Sequence, residues 1–448
     1  MAGLGTITLD SLKNTSYDSF SFDESICGIL FDYGLRTAVF DDYPVAESFF
    51  KDNQVQLINN LEEAEEMGLL ENGFMNGIPH YHIKQYYDFV GEDHKLYISF
   101  ASCVSYLNGN VIPDFSQIQY MQQEAKGEIY QVGVWTEQCI WCDNDGEYGF
   151  TQLLGELQTQ GETLCGIRNT PSNSASALSV ILNCCTSCLY GDNSSRKKVS
   201  FKTLPNAISL DFHKVMVVLG QNGTDEVHQM QLQNINYTPV GMIGFALACC
   251  TMVPAEESIG SLLYCNLNKD DNFQSPELGF GDLTDNIKDN DYSSIEDVNQ
   301  IRRNIISMAG YVLPTTYKAK EAAVYLSNDQ CLSEGDYKSL ANNRVIHKLK
   351  RIIKSVMLPY VEGNVEMDPN TGKIAVYDAA LITNALNERA DAVLVNSKGQ
   401  AQVSGRIIEV DLDSNILEND SINIDVRLVP ASSSDIINFR ETYEIEGS

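Results

Sequence analysis

Four of the twelve cysteines in this 448-residue chain stand in two Cys-x-x-Cys spacings, Cys139-Ile-Trp-Cys142 and Cys185-Thr-Ser-Cys188. Two such halves can supply the four thiolates of a tetrahedral zinc site. Their surroundings favour a plainer reading. The first pair lies in an apolar, strand-like run and the second closes a helix-like run. The adjacent pairs Cys184–Cys185 and Cys249–Cys250 read as the reduced, buried thiols of a large cytosolic protein. The six histidines are His80, His82, His94, His213, His228 and His347. His80 and His82 could flank a metal only with a third ligand, which the spacing does not supply. No metal and no cofactor are assigned.

Other chemistry lacks a pattern to carry it. The chain has no GxGxxG, phosphate loop, GxSxG or HExxH. Gly3-Leu4-Gly5 and Gly279-Phe280-Gly281 are isolated, and Asp and Glu are too numerous for any chosen pair to mean much. Nothing positive argues for an enzyme, and an α/β enzyme of unknown reaction is kept only as the alternative.

One constellation stands out. From Asn342 to Met357 the chain reads NNRVIHKLKRIIKSVM, with five basic residues and no acidic one. On a helix, Arg344, His347, Lys348, Lys350, Arg351 and Lys354 share one arc. Val345, Ile346, Leu349, Ile352, Ile353, Val356 and Met357 share the opposite one. The apolar arc packs on the core, which predicts that the basic arc faces outward. There it answers the chain's own carboxylates or docks an acidic partner, with calmodulin-like or membrane binding ranked third.

The elements that must position these residues follow from composition and periodicity. Thirty Lys and Arg against 61 Asp and Glu give a net charge of −31. So acidic a surface argues against nucleic acid, whose phosphates need clustered cations. The N-terminus has no charged region followed by an apolar run, and Val240–Val253 falls short of the roughly 20 residues of a membrane span. A soluble, cytoplasmically made product without a membrane partner is expected.

Residues 1–25 are polar, with a short alternation at Thr6-Ile7-Thr8-Leu9, and read as an extended arm. Strand-like and helix-like runs then alternate: Val55–Ile58 with Leu61–Leu70, Tyr81–Val90 with Lys95–Ala101, Phe115–Ala125 with Glu128–Trp135. That predicts a mixed α/β layer with a largely parallel sheet. Helices are expected at Tyr148–Gln158, Ser174–Cys188, Val240–Val253, Ile295–Met308 and Tyr337–Leu358, and strands at Ile208–Leu219 and Ala322–Leu326. Asn266–Tyr292, crowded with Asp, Asn and Gly, reads as a solvated acidic loop whose spacing does not match a calcium loop. Three strand-like segments close the chain: Arg406–Asp411, Ile422–Val429 and Ile436–Ile445. Extended ends with exposed backbone can add a strand to a neighbour's sheet. The expected organisation is an arm (1–25), an N-terminal α/β part of the core (26–139), a middle region and possible outer domain (140–290), a C-terminal core domain (291–405) and C-terminal strands (406–448).

From about Tyr292 the chain resembles the C-terminal domain of contractile tail sheath proteins. The carrying residues are Gly310-Tyr311-Val312-Leu313-Pro314-Thr315-Thr316-Tyr317, Ala323-Val324-Tyr325-Leu326-Ser327-Asn328-Asp329, Asp336-Tyr337, and Asn343-Arg344-Val345-Ile346-His347-Lys348. Leu358-Pro359-Tyr360, Val365–Lys373 and Ile422–Pro430 continue the match, and Glu128–Trp135 and Glu256–Gly260 are similar upstream.

The resemblance implies a structural subunit of a phage tail or phage-like injection particle, assembled in the bacterial cytoplasm. Its copies would form hexameric rings stacked helically around an inner tail tube protein, together with baseplate and tail-terminator proteins. The core would be built from N- and C-terminal parts. Extended arms would pair with neighbouring subunits, here Thr6, Ile7, Thr8 and Leu9 at one end and Ile422, Ile424, Val426 and Leu428 at the other. In that family a helix of the C-terminal core faces the tube, which tips the reading of the basic arc toward docking. The sheath of a type VI-like system, normally built from two chains, ranks lower because this chain carries both arms.

Overall fold

The computed structural model describes residues 22–34, 40–108, 110–137, 149–165, 178–184, 187–190, 195–198, 204–233, 240–280, 292–294, 300–316, 323–360, 365–396, 398–419 and 422–431. Its centre is a seven-stranded sheet. The strands in chain order are β1 (Cys27–Asp32), β2 (Val55–Ile58), β3 (Leu96–Ala101), β4 (Gln131–Thr136), β5 (Ser179–Cys184), β6 (Val215–Leu219) and β7 (Tyr311–Val312). They lie in the order β7-β6-β5-β4-β1-β3-β2. All neighbouring pairs are parallel except β2 with β3 at one edge.

Strand residues alternate between two apolar layers, as the two-residue period of a strand requires. Ile29, Phe31, Ile98, Phe100, Trp135, Ile181, Met216 and Val218 face one layer. There α1 (Ile78–Val90) and α4 (Ile243–Met252) cover the sheet. Leu30, Tyr97, Val132, Val134, Val180, Leu182, Val215 and Val217 face the other, under α2 (Gln117–Glu124) and α3 (Phe150–Cys165). A sheet covered on both faces has strands without polar positions to spare, which is why these runs are nearly continuously apolar.

α4 lies close against the sheet. An ideal Cβ at Gly133 of β4 would stand 2.5 Å from Cγ1 of Ile243. The turn into α4 is fixed by β5: the Met242 amide donates to Oδ1 of Asn183 at 2.9 Å. Gly241 has φ +79, and a Cβ there would fall 2.0 Å from Asn183 Oδ1.

A third, smaller core joins the apolar side of α5 (Leu340–Met357) to α6 (Val376–Val393) and to an antiparallel hairpin of β8 (Val403–Val410) and β9 (Ile424–Pro430). Leu349, Ile352, Ile353, Ile382, Leu386, Ile408 and Ile424 fill it.

Several expectations need correction. Ser174–Cys188, expected as a helix, contains the buried strand β5. All six residues of β5 are buried, and so short an apolar stretch as Val180-Ile181-Leu182 cannot be told from a helix by periodicity alone. Ile208–Leu219 is a strand only from Val215; Ala207–Leu210 is a 3-10 turn, followed by Asp211 at φ +53. Residues 140–290 do not stand apart as an outer domain in their described part, because β5, β6 and α4 lie in the centre of the main layer. Asn266–Phe280 is not merely a solvated loop, since Leu267, Phe273 and Leu278 are fully buried. α6 has no counterpart in the sequence reading. The pair Cys139–Cys142 and Cys185 fall outside the described residues, as do Thr6–Leu9 and Ile436–Ile445.

Candidate functional site

α5 begins where Ser339 and Asp329 meet its free amides. Asp329 Oδ2 accepts from the Ala341 amide at 3.0 Å and from Ser339 Oγ at 2.7 Å, so a carboxylate faces the positive end of the helix. From there the helix runs between the small C-terminal core and the main layer, buried on both sides.

The basic arc therefore does not face outward. Arg344, His347, Lys348, Arg351 and Lys354 are buried, and Lys350 alone of the six is half-buried. A cation inside a protein is tolerated only when oxygen atoms replace its water, and here the main layer supplies them. The Arg344 guanidinium donates to the carbonyls of Cys250 at 2.7 Å and Val253 at 3.1 Å. These are the orphan acceptors at the negative end of α4. Arg351 donates to the carbonyls of Gly127 and Ile129, the latter at 2.6 Å, in the turn between α2 and β4. Its guanidinium also lies 3.7 Å over the Tyr130 ring.

Lys348 donates to Glu24 Oε2 at 2.7 Å and to Gln402 Oε1 at 2.9 Å. Burial pushes the Glu24 carboxyl up, but Lys348 and then Arg344 outweigh it and hold the group below its ordinary value. Lys214 Nζ lies 3.2 Å from Nε2 of His347. Burial, with Lys214 beside it, keeps that imidazole well below its usual range, so neutral His347 accepts from the ammonium. Lys354 is pushed down to about 8 by burial and by Arg351. The arc is a row of fasteners between two cores.

The two candidate metal-flanking histidines are engaged elsewhere. His80 Nε2 is 3.0 Å from Glu65 Oε1. His82 Nε2 donates to the Val240 carbonyl at 2.9 Å while Nδ1 accepts from the Gly244 amide. Burial drives His82 down to about 3. Among the described residues no cluster of three or more His, Cys, Asp or Glu could hold a metal ion. No described helix is long and apolar enough to cross a membrane. Cys27, Cys103, Cys184, Cys249, Cys250, Cys265 and Cys331 are buried free thiols.

The C-terminal arm candidates are divided. Ile424 is buried, Ile422 and Leu428 are half-buried against the small core, and Val426 is exposed. The strand that holds three of them is not free: β9 pairs with β8 of the same chain from Val410↔Ile424 to Val403↔Pro430. Its other edge has no strand partner among the described residues.

Comparison with known proteins bears on this arrangement. Residues 336–446, which carry α5, α6 and the hairpin, match a family model described as DUF2586, C-terminal domain. Over nearly the whole chain the fold is similar to a chain of the anti-feeding prophage baseplate, at 10% identity and a TM-score of 0.52, covering 97% of this chain and 98% of that one. It is also similar to a chain of the sheath complex of PVC, an extracellular contractile injection system, in its contracted state. There the identity is 8% and the TM-score 0.54, with 100% of this chain and 97% of that one covered. Curated protein sequences yield no match. The chain shares its fold with components of contractile injection particles.

Two residues of the fastened seam were not visible in the sequence. Glu24 fell in a segment read as a free arm, and Gln402 in a polar stretch before a strand. Their partners are 324 and 54 residues away, and no local pattern marks contacts at such separation.

Proposed function

We propose that this chain is a structural, non-enzymatic subunit of a contractile sheath, assembling as stacked hexameric rings around an inner tube that contraction drives through a target envelope. The observation that carries this reading is the fold, shared along almost the full length with chains of two contractile injection particles. The hairpin adds to it. Two strands alone are marginally stable, and the outer edge of β9 is suited to a strand donated by another copy. The terminal segments 1–21 and 432–448 are the donors in this reading.

With the basic arc turned inward, the tube contact passes to the outer side of α6. Val376 and Tyr377 are each 69% exposed and Leu381 46% exposed, while Ala379, Ile382 and Leu386 already fill the small core from the opposite side. An apolar helix face left outside its own core is suited to another chain.

Negative-stain microscopy of the purified chain tests the assembly, with tubes or stacked rings expected. Deleting 1–20, or 432–448, should abolish polymers and leave a folded monomer; cutting at Ser421 would instead remove Ile424 and Leu428 from the core. A stable monomer at high concentration, or intact tubes from both truncations, would overturn the reading.

A further inference from the structure

Three segments far apart in the chain meet at one buried cluster. Glu24 closes the N-terminal segment, Lys348 lies in the middle of α5, and Gln402 immediately precedes β8. Their side chains form a triangle: Lys348 Nζ to Glu24 Oε2 at 2.7 Å, Lys348 Nζ to Gln402 Oε1 at 2.9 Å, and Gln402 Nε2 to Glu24 Oε1 at 2.9 Å. The ion pair is well shielded, with the side chains of Lys348 and Glu24 only 4% and 15% exposed.

Each corner is tied further. The Arg344 guanidinium reaches the Glu24 carbonyl, and the Ala255 amide reaches Glu24 Oε1. Phe22 packs on the small core beneath the Arg389 guanidinium of α6, 4.9 Å from the ring centroid. At the other end, the Ala431 amide donates to the Gln402 carbonyl at 3.1 Å, where the chain leaves β9. The two ends of the described chain, Phe22 and Ala431, thus both lie by this cluster.

We propose that Glu24, Lys348 and Gln402 form a common anchor for the two terminal segments, so that a pull on one is passed to the other through this cluster. The anchoring is a property of the single chain; its use in carrying load between subunits rests on the sheath reading. A chain linked to neighbours through both ends needs its ends held to each other at least as firmly as each is held to the neighbour. A buried ion pair with every oxygen satisfied meets that need, because opening it exposes an unpaired charge.

The test is a cross-response in the purified chain. Gln402→Leu replaces the C-terminal corner and removes its bonds to Lys348 and Glu24, so chymotryptic cleavage after Phe22 should quicken about tenfold. Glu24→Gln replaces the N-terminal corner and weakens its bonds to Lys348 and Gln402, so amide exchange at Ala431 should quicken by a similar factor, about tenfold. Combining Glu24→Lys with Lys348→Glu should bring both rates back toward those of the native chain. If each end responds only to its own substitution, or if the charge exchange restores neither, the common anchor is wrong. Glu24→Gln is nearly isosteric and keeps the test available should Gln402→Leu fail to fold. Tubes without cross-response would sink the anchor alone, and cross-response without tubes would sink the sheath reading alone.

Discussion

The Arg344 guanidinium donates to the Cys250 carbonyl at 2.7 Å, closing the C-terminal end of α4 with a side chain 94 residues further along. Helix ends leave carbonyls without partners, and a cation there also meets the negative end of the helix dipole. Replacing Arg344 with Met removes that partner from buried acceptors and should cost on the order of 3 kcal/mol in urea-induced unfolding. Arg344→Lys restores the charge without the fork and should recover only part of the loss. A neutral effect of Arg344→Met would mean that water reaches the α4 terminus.

Lys354 gives the seam a pH dependence on the alkaline side. Its folded value of about 8 lies below the ordinary 10.5, so between those values the unfolded chain holds the proton more tightly. Stability attributable to this residue therefore rises with pH across that window. Lys354→Met should stabilise the chain at neutral pH by roughly 2 kcal/mol, an advantage that shrinks toward pH 10. A constant difference across that range would show that Lys354 stays charged.

Glu24 acts at the acid end. Its carboxyl is held below the ordinary value of 4.5, so its contribution is complete above that value and is lost as pH falls through the lowered one. Wild type should exceed Glu24→Gln in stability by about 1–3 kcal/mol at pH 7, and the two should converge in acid. Parallel curves down to pH 3 would contradict the ion pair with Lys348.

His82 should remain neutral, with the proton on Nε2, at every pH above about 3. Imidazole NMR is the direct measurement, and a titration near 6.5 would refute the burial. Gly241→Ala should be among the most damaging single changes, costing about 3 kcal/mol or more, since the new Cβ meets the Asn183 amide group at a left-handed φ. Wild-type-like thermal unfolding would require the α4 turn to relax.

The outer side of α6 can be tested separately from the fold. Tyr377→Asp with Leu381→Asp should leave monomer stability within about 0.5 kcal/mol, as exposed sites do, while co-sedimentation with tube protein falls. Undiminished co-sedimentation would remove α6 from the contact.

Much of the architecture was legible because burial imposes a period on the residues that undergo it. The alternation around Lys95–Ala101 and Glu128–Trp135 foretold central parallel strands, and Val240–Val253 foretold a buried helix. β5 was misread because its short apolar run, Val180-Ile181-Leu182, has no period to read. α6 was missed because its apolar residues fall on two faces, one filling the small core and one open.

The amphipathic division of Asn342–Met357 was correct as chemistry and wrong as geography. Periodicity determines that apolar and basic residues lie on opposite sides of α5, because it follows from local helix geometry. It does not determine what each side meets. That depends on carbonyls of Gly127, Ile129, Cys250 and Val253 and on the carboxylate of Glu24, all brought alongside by the fold of other segments. Whether a row of cations is a surface or a seam is decided by what desolvates it, and desolvation is a property of tertiary structure alone.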